Sequence, residues 1–275
     1  GGTLKVITTT YMKATDFEFD GKRLSEFGMI LCKFDSGGLD TVSDGSEVTF
    51  NTISTLNGHK HELISVQYES CLETTLQICK YSCNGGVQEI TTTEHRQLTK
   101  WLNRKRFLKL KFLDADHIDL YYESRINVSK IELDGKLIGL ELSVLTNRPH
   151  ALKESRIINI NNTEQNGKHS INDISHEEGY IYPYTQITIA EDGNLNIYNA
   201  IEDRNTYIAN CKKNEIITMD YPVIQSSDSS HNIQNDFNWN FFRVANTFEN
   251  SRNDLTISLP CSIKLKYSPI VKVGL

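Results

Sequence analysis

Between residues 91 and 113 the chain reads TTTEHRQLTKWLNRKRFLKLKFL, and apolar side chains recur in it at two different periods. Leu98, Trp101 and Leu102 fall at i, i+3 and i+4, which makes one apolar stripe with Arg96, Lys100, Asn103 and Arg104 around it. Thr91 followed three residues later by Glu94 has the form of a capping box, so a helix near 93–104 is predicted. Immediately after it, Leu108, Leu110 and Phe112 alternate with Phe107, Lys109 and Lys111, the period of a strand. A helix this short is not stable alone, so its stripe is expected to lie on the sheet that this strand joins.

The rest of the chain reads as strands and turns. Residues 16–34 give an aromatic strand, the turn Asp20-Gly21 and an apolar run, with Phe17, Phe19 and Phe27 as expected core anchors. A loop rich in Gly, Asp and Ser covers 35–46, and 48–53, 62–69 and 74–79 alternate as strands around the turns Asn57-Gly58 and Asn84-Gly85-Gly86. Residues 120–128 and 137–145 form a pair about Asp134-Gly135. The extended pattern stops at Thr146-Asn147-Arg148-Pro149, and a domain boundary is placed there because proline cannot donate to a ladder. Residues 1–148 are thus expected to form a β-sandwich or barrel carrying one helix and a hairpin. Residues 149–275 show only short strands at regular spacing, the pattern of a second all-β sandwich. Asn166-Gly167 and Asp192-Gly193 are its strongest hairpin signals, and Asn-rich connections such as 226–240 read as loops on its rim.

Composition narrows the function classes. At 275 residues and 38% hydrophobic content, two real cores are affordable. A net charge of -6 argues against sequence-specific nucleic-acid binding, which needs a concentrated positive surface. Arg104-Lys105-Arg106 sits where cations complement a helix end, so it reads as a solvated face. The chain lacks an apolar run long enough to span a membrane and a secretion signal; Gly1-Gly2 reads as a tag remnant, and synthesis in a cytoplasm is expected. The six cysteines, Cys32, Cys71, Cys79, Cys83, Cys211 and Cys261, show no CxxC spacing and read as buried free thiols. A zinc site of Cys79, Cys83 and Cys71 with His59 and His61 lacks a second ligand pair.

No reacting constellation assembles from the sequence. A nucleophile elbow, a phosphate loop, a dinucleotide fingerprint and an HExxH helix are all missing. Asp114, Asp116, Asp119 and Glu123 imitate a glycosidase pair but cluster where one strand hands over to the next, as turn-forming Asp does. No catalytic, cofactor-binding or metal-ligating residue is therefore assigned, and no cofactor is expected. Tyr180, Tyr182 and Tyr184 alternate on one strand face, and Trp239 stands with Phe237, Phe241 and Phe242 beyond the longest loop. Two readings stand beside each other: a sugar-stacking platform, and large side chains filling a sheet-on-sheet core.

Taken together, FEFDGKRLSEFGMILCKF at 17–34, TKWLNRKRFLKLKF at 99–112 and the run from Asp114 to Ala151 resemble the N-terminal domain of siphophage distal tail proteins. EEGYIYPYTQITI, GNLNIYN, NEIITMD, DFNWNFFRV and IKLKYSPI are similar to their C-terminal domain. The resemblance implies a belt-forming N-terminal domain and a galectin-like, jelly-roll type C-terminal sandwich. It implies a hexameric ring hub at the tail tip of a virion, assembled in the host cytoplasm and encoded by a phage or prophage of a Gram-positive host. Its implied partners are sister copies, the tail tube protein, the tape-measure protein and a tail-associated lysin, fibre or receptor-binding protein, with DNA passing through the lumen and no membrane contact. No enzymatic role is implied. Segment 35–46 and the strand pair around Asp134-Gly135 are the expected ring contacts. The alternative is a two-domain carbohydrate-binding adhesin recognising host cell-wall glycans.

Overall fold

The computed structural model describes residues 7–8, 14–34, 47–54, 60–80 and 88–273. The expectations on 35–46, Asn57-Gly58, His59, Cys83 and Asn84-Gly85-Gly86 lie outside them. The fold is mainly β, and the chain divides into two compact units, one up to Leu152 together with the last residues from Lys272, the other from Lys153 to Val271. Among the described residues no helix is long and apolar enough to cross a membrane.

The first unit is built on one antiparallel sheet. Its strands run in the order Ile7–Thr8, Met29–Lys33, Glu73–Lys80, Lys136–Thr146, Leu120–Leu133, Leu108–Phe112, Phe17–Phe19 and Lys22–Arg23. Two turns fix its register: Asp20 and Gly21 (φ 52° and 75°) and Asp134 and Gly135 (φ 50° and 76°) take the left-handed pair of a two-residue hairpin. On this sheet lies the helix Thr92–Leu102, which buries Leu98, Trp101 and Leu102 as its periodicity demands. Trp101 is the anchor. Its ring stacks with Phe27 at 4.4 Å and Phe17 at 5.9 Å, and its Nε1–H donates to the Phe19 carbonyl at 2.8 Å. The strand bearing Phe17 and Phe19 lies between Lys22–Arg23 and Leu108–Phe112 and pairs with both, so the helix sits on the sheet that its own downstream strand enters.

The start of that helix carries a charge-assisted cap. The Thr91 hydroxyl accepts from the Glu94 amide at 3.3 Å, while the Glu94 carboxylate accepts from the Thr91 amide at 2.8 Å and from the Lys80 ammonium at 2.8 Å. The Lys80 hydrogen bond, then the Thr91 amide, hold the Glu94 carboxyl down to about 2 from its ordinary 4.5. A depressed carboxylate stabilises the fold fully above the unfolded value and loses that contribution as pH falls through the folded one. The stability difference between wild type and Glu94→Gln, followed by urea denaturation, is therefore expected to shrink between pH 4.5 and 2. A difference that stays constant across that window would show that the carboxylate is not the stabilising group.

The second unit is a sandwich of two antiparallel sheets. One has the order Arg156–Asn162, Cys261–Tyr267, Tyr184–Ile189, Ile216–Asp220, Val223–Ser226; the other Gly167–Asn172, Arg252–Ile257, Gly193–Asn199, Arg204–Cys211. Inward positions alternate along each strand, and Ile187, Leu195, Ile208, Ile217, Ile257 and Leu265 are completely buried between the sheets.

Two turn assignments from the sequence are corrected here. Asn166-Gly167 and Asp192-Gly193 do not close hairpins, because each joins a strand of the first sheet to a strand of the second. The local signal specifies backbone conformation (Asn166 φ 57°), while the pairing partner is chosen by burial of the strands on either side. In the connection 226–240 Asn232, Asn235 and Asn238 are exposed, while other asparagines, which lie in strands, are interior. Asn162, Asn199 and Asn253 are buried, and Asn253 Oδ1 accepts from both the Ala245 amide and Asn199 Nδ2 at 2.8 Å.

Candidate interaction surfaces

The strands Val48–Ser54 and His61–Tyr68 pair only with each other among the described residues, forming a two-stranded ribbon with both outer edges unpaired. Register places Val48, Phe50, Val66 and Tyr68 together on one face. Phe50 is 64% exposed and Ile64 66%, and Val48, Ile53, Leu63 and Val66 are also exposed. A lone two-stranded ribbon is marginal in water, and one that shows this many aliphatic and aromatic side chains is built to be covered.

The second unit presents a row of aromatic rings. From one end, Trp239 meets Phe241 at 6.4 Å, Phe241 meets Tyr221 at 5.4 Å, Tyr221 stacks on Tyr182 at 4.2 Å and Tyr182 meets Tyr180 at 5.7 Å. The sequence reading of three tyrosines on one strand is corrected. Pro183, which has no N–H to donate, ends the strand Gly179–Ile181, and Tyr184–Ile189 begins afresh with different partners. Of the aromatics singled out in the sequence, Phe237, Phe241 and Phe242 are core, whereas Tyr180, Tyr184 and Trp239 are exposed; Tyr221, which the sequence did not single out, is exposed as well. Beside the row, Arg243 meets Glu202 with two hydrogen-bonded contacts (Nε to Oε2 at 3.0 Å, Nη2 to Oε1 at 2.5 Å), and its guanidinium lies 3.8 Å over the Tyr180 ring.

The titratable groups considered for chemistry are occupied by structure. Asp114 accepts from the amides of Asp116 and His117 at 2.9 Å and from His117 Nδ1 at 2.8 Å, which is turn work, and Glu123 bonds Asn147 and Arg148. Cys32, Cys79, Cys211 and Cys261 are buried free thiols, and burial pushes Cys211 up to about 11 and Cys261 to about 12. One buried cluster had no sequence signal: Glu215 meets His231 Nδ1 at 2.6 Å, and Asp236 faces His231 Nε2 at 3.3 Å. The two carboxylates take opposite ring nitrogens, so they cannot converge on one ion. An open depression of about 450 Å³ on the second unit is lined by Lys168, Ser170, Arg252 and Asp254, and Arg252 already bonds Asp254 at 2.8 Å.

The chain is thus a β-rich protein with exposed apolar side chains on a ribbon of one unit and exposed aromatic rings on the other. Residues 12–148 match a family model described as a phage tail protein N-terminal domain, and residues 150–267 match its phage tail C-terminal domain. The chain belongs to this family of phage tail proteins. It is similar in fold to the Dit protein of phage SPP1, described as a paradigm of the hub adsorption apparatus in phages that infect Gram-positive bacteria. The likeness has a TM-score of 0.62 at 9% identity and covers 93% of this chain and 99% of that one. No curated protein matches by sequence.

Proposed function

We propose that this chain is a distal tail hub protein, a non-enzymatic component of which six copies close a ring at the end of a siphophage tail tube. Residues 1–148 form the ring, and residues 149–275 form a galectin-like domain. The ribbon Val48–Ser54 with His61–Tyr68 carries the reading, since its unpaired edges and apolar faces suit a neighbouring copy. A cyclic array uses one heterologous contact repeated around an axis, and an arm reaching to the next protomer supplies it. Of the segments expected at that contact, 35–46 lies outside the described residues, and Asp134-Gly135 closes an exposed hairpin end that remains available to it.

The ring would join tail tube, tape-measure protein and a tail-associated lysin, fibre or receptor-binding protein, with assembly in the host cytoplasm. Its lumen would pass DNA, to which a chain of net charge -6 adheres weakly. Light scattering of the purified chain is expected to give the mass of six protomers, with sixfold rings in negative stain. A monomer at micromolar concentration overturns autonomous ring formation.

A further inference from the structure

We infer that the aromatic row of the second unit is a glycan-binding shelf for several sugar rings of an extended chain, a role independent of ring formation. Tyr180, Tyr221 and Trp239 are 56%, 56% and 55% exposed, yet each is braced by a partner inside the protein. Arg243 covers one face of Tyr180, Tyr182 stacks on one face of Tyr221 at 12° between planes, and Trp239 leans on the buried Phe237 at 5.8 Å. A ring fixed from behind and open in front is a platform. It offers a flat, rigid surface to the C–H face of a pyranose at little cost in side-chain entropy.

One further observation favours sugar over an apolar protein partner. The groups beside Tyr180 and Tyr182 are polar and planar: Arg243 and Glu202 form a partly buried two-point pair, and Arg243 Nη1 reaches the Tyr182 hydroxyl at 3.5 Å. Forked, pre-aligned donors and acceptors suit vicinal hydroxyls, whereas a protein contact of this area would place a desolvated aliphatic centre there. Trp239 is also held in a backbone conformation that few L residues adopt, φ 58°. Asn238 enforces it: its Oδ1 accepts from the Asn240 amide at 3.1 Å and the Tyr207 amide at 3.2 Å, and its Nδ2 donates to the Asn205 carbonyl at 3.0 Å. The turn so formed fixes the backbone of Trp239 while its ring rests on Phe237 and Phe241.

The test applies the full chain to an array of immobilised hexose, N-acetylhexosamine, deoxyhexose and uronic-acid oligosaccharides. At least one class is expected to bind, with Trp239→Ala and Tyr221→Ala each weakening it roughly tenfold while each variant still unfolds cooperatively from a folded state. Trp239 is the exposed one of the two tryptophans, so binding also reduces quenching of fluorescence by acrylamide. An array with no bound sugar, or binding that survives both substitutions, overturns the inference. Retention of a tail protein through Trp239 without any sugar bound overturns it equally and assigns the row to a protein contact.

Discussion

Replacing Glu215 by alanine is expected to destabilise the second unit by about 3–5 kcal/mol, a large share of the roughly 5–15 kcal/mol that holds an ordinary domain folded. Glu215 and His231 are essentially inaccessible, with side chains 0% and 2% exposed. One carboxylate oxygen receives His231 Nδ1 at 2.6 Å and the Ser226 hydroxyl at 2.5 Å, and the other receives the Lys212 amide at 2.8 Å. Truncation removes an acceptor from all three donors: His231 Nδ1 is left in a place water does not reach, while the Ser226 hydroxyl keeps the Asp228 carbonyl at 3.4 Å and the Lys212 amide is only partly buried, so the histidine carries most of the desolvation cost. Glu215→Gln keeps an acceptor at the same position and is expected to lose much less. Urea denaturation of both variants checks the argument, and a Glu215→Ala loss below about 1 kcal/mol would mean that water or repacking satisfies the cluster.

Placing aspartate at both Phe50 and Ile64 is expected to abolish the six-protomer species and leave protomer stability within about 0.5 kcal/mol of wild type. Both side chains are mostly in solvent in the isolated chain, so a charge there removes no intramolecular packing. In an assembled ring the same positions would be desolvated, and a buried unpaired carboxylate is among the costliest groups at an interface. Light scattering and a urea titration on the same preparation separate the two effects. Rings that persist with both charges present would place the contact on another edge of the first unit.

How much was legible before the structure depended on the range of the forces involved. The helix Thr92–Leu102, its capping box and its buried Leu98, Trp101 and Leu102 follow from a local period and a local cap. The turns Asp20-Gly21 and Asp134-Gly135 did pair the strands beside them, as short positive-φ dipeptides between alternating runs should. Asn166-Gly167 and Asp192-Gly193 carry the same signal and cross between sheets instead. Nothing within four residues of a turn distinguishes these outcomes, because the choice is made by which distant strand buries the neighbouring apolar face.

The binding surfaces show the same division. The sequence alone determined a two-part, mainly β chain with one capped helix, and it singled out Trp239 and the tyrosines without saying which faced outward. Only the tertiary structure decided that Phe237 and Phe241 go inside while Trp239 and Tyr221 stay out, and that Glu215, His231 and Asp236 meet. It also decided that, among the described residues, the ribbon of Val48–Ser54 and His61–Tyr68 pairs with no other strand and keeps its apolar side chains exposed. The reason is physical: period and propensity act over a few residues, whereas burial is a property of surfaces assembled from segments far apart in the chain.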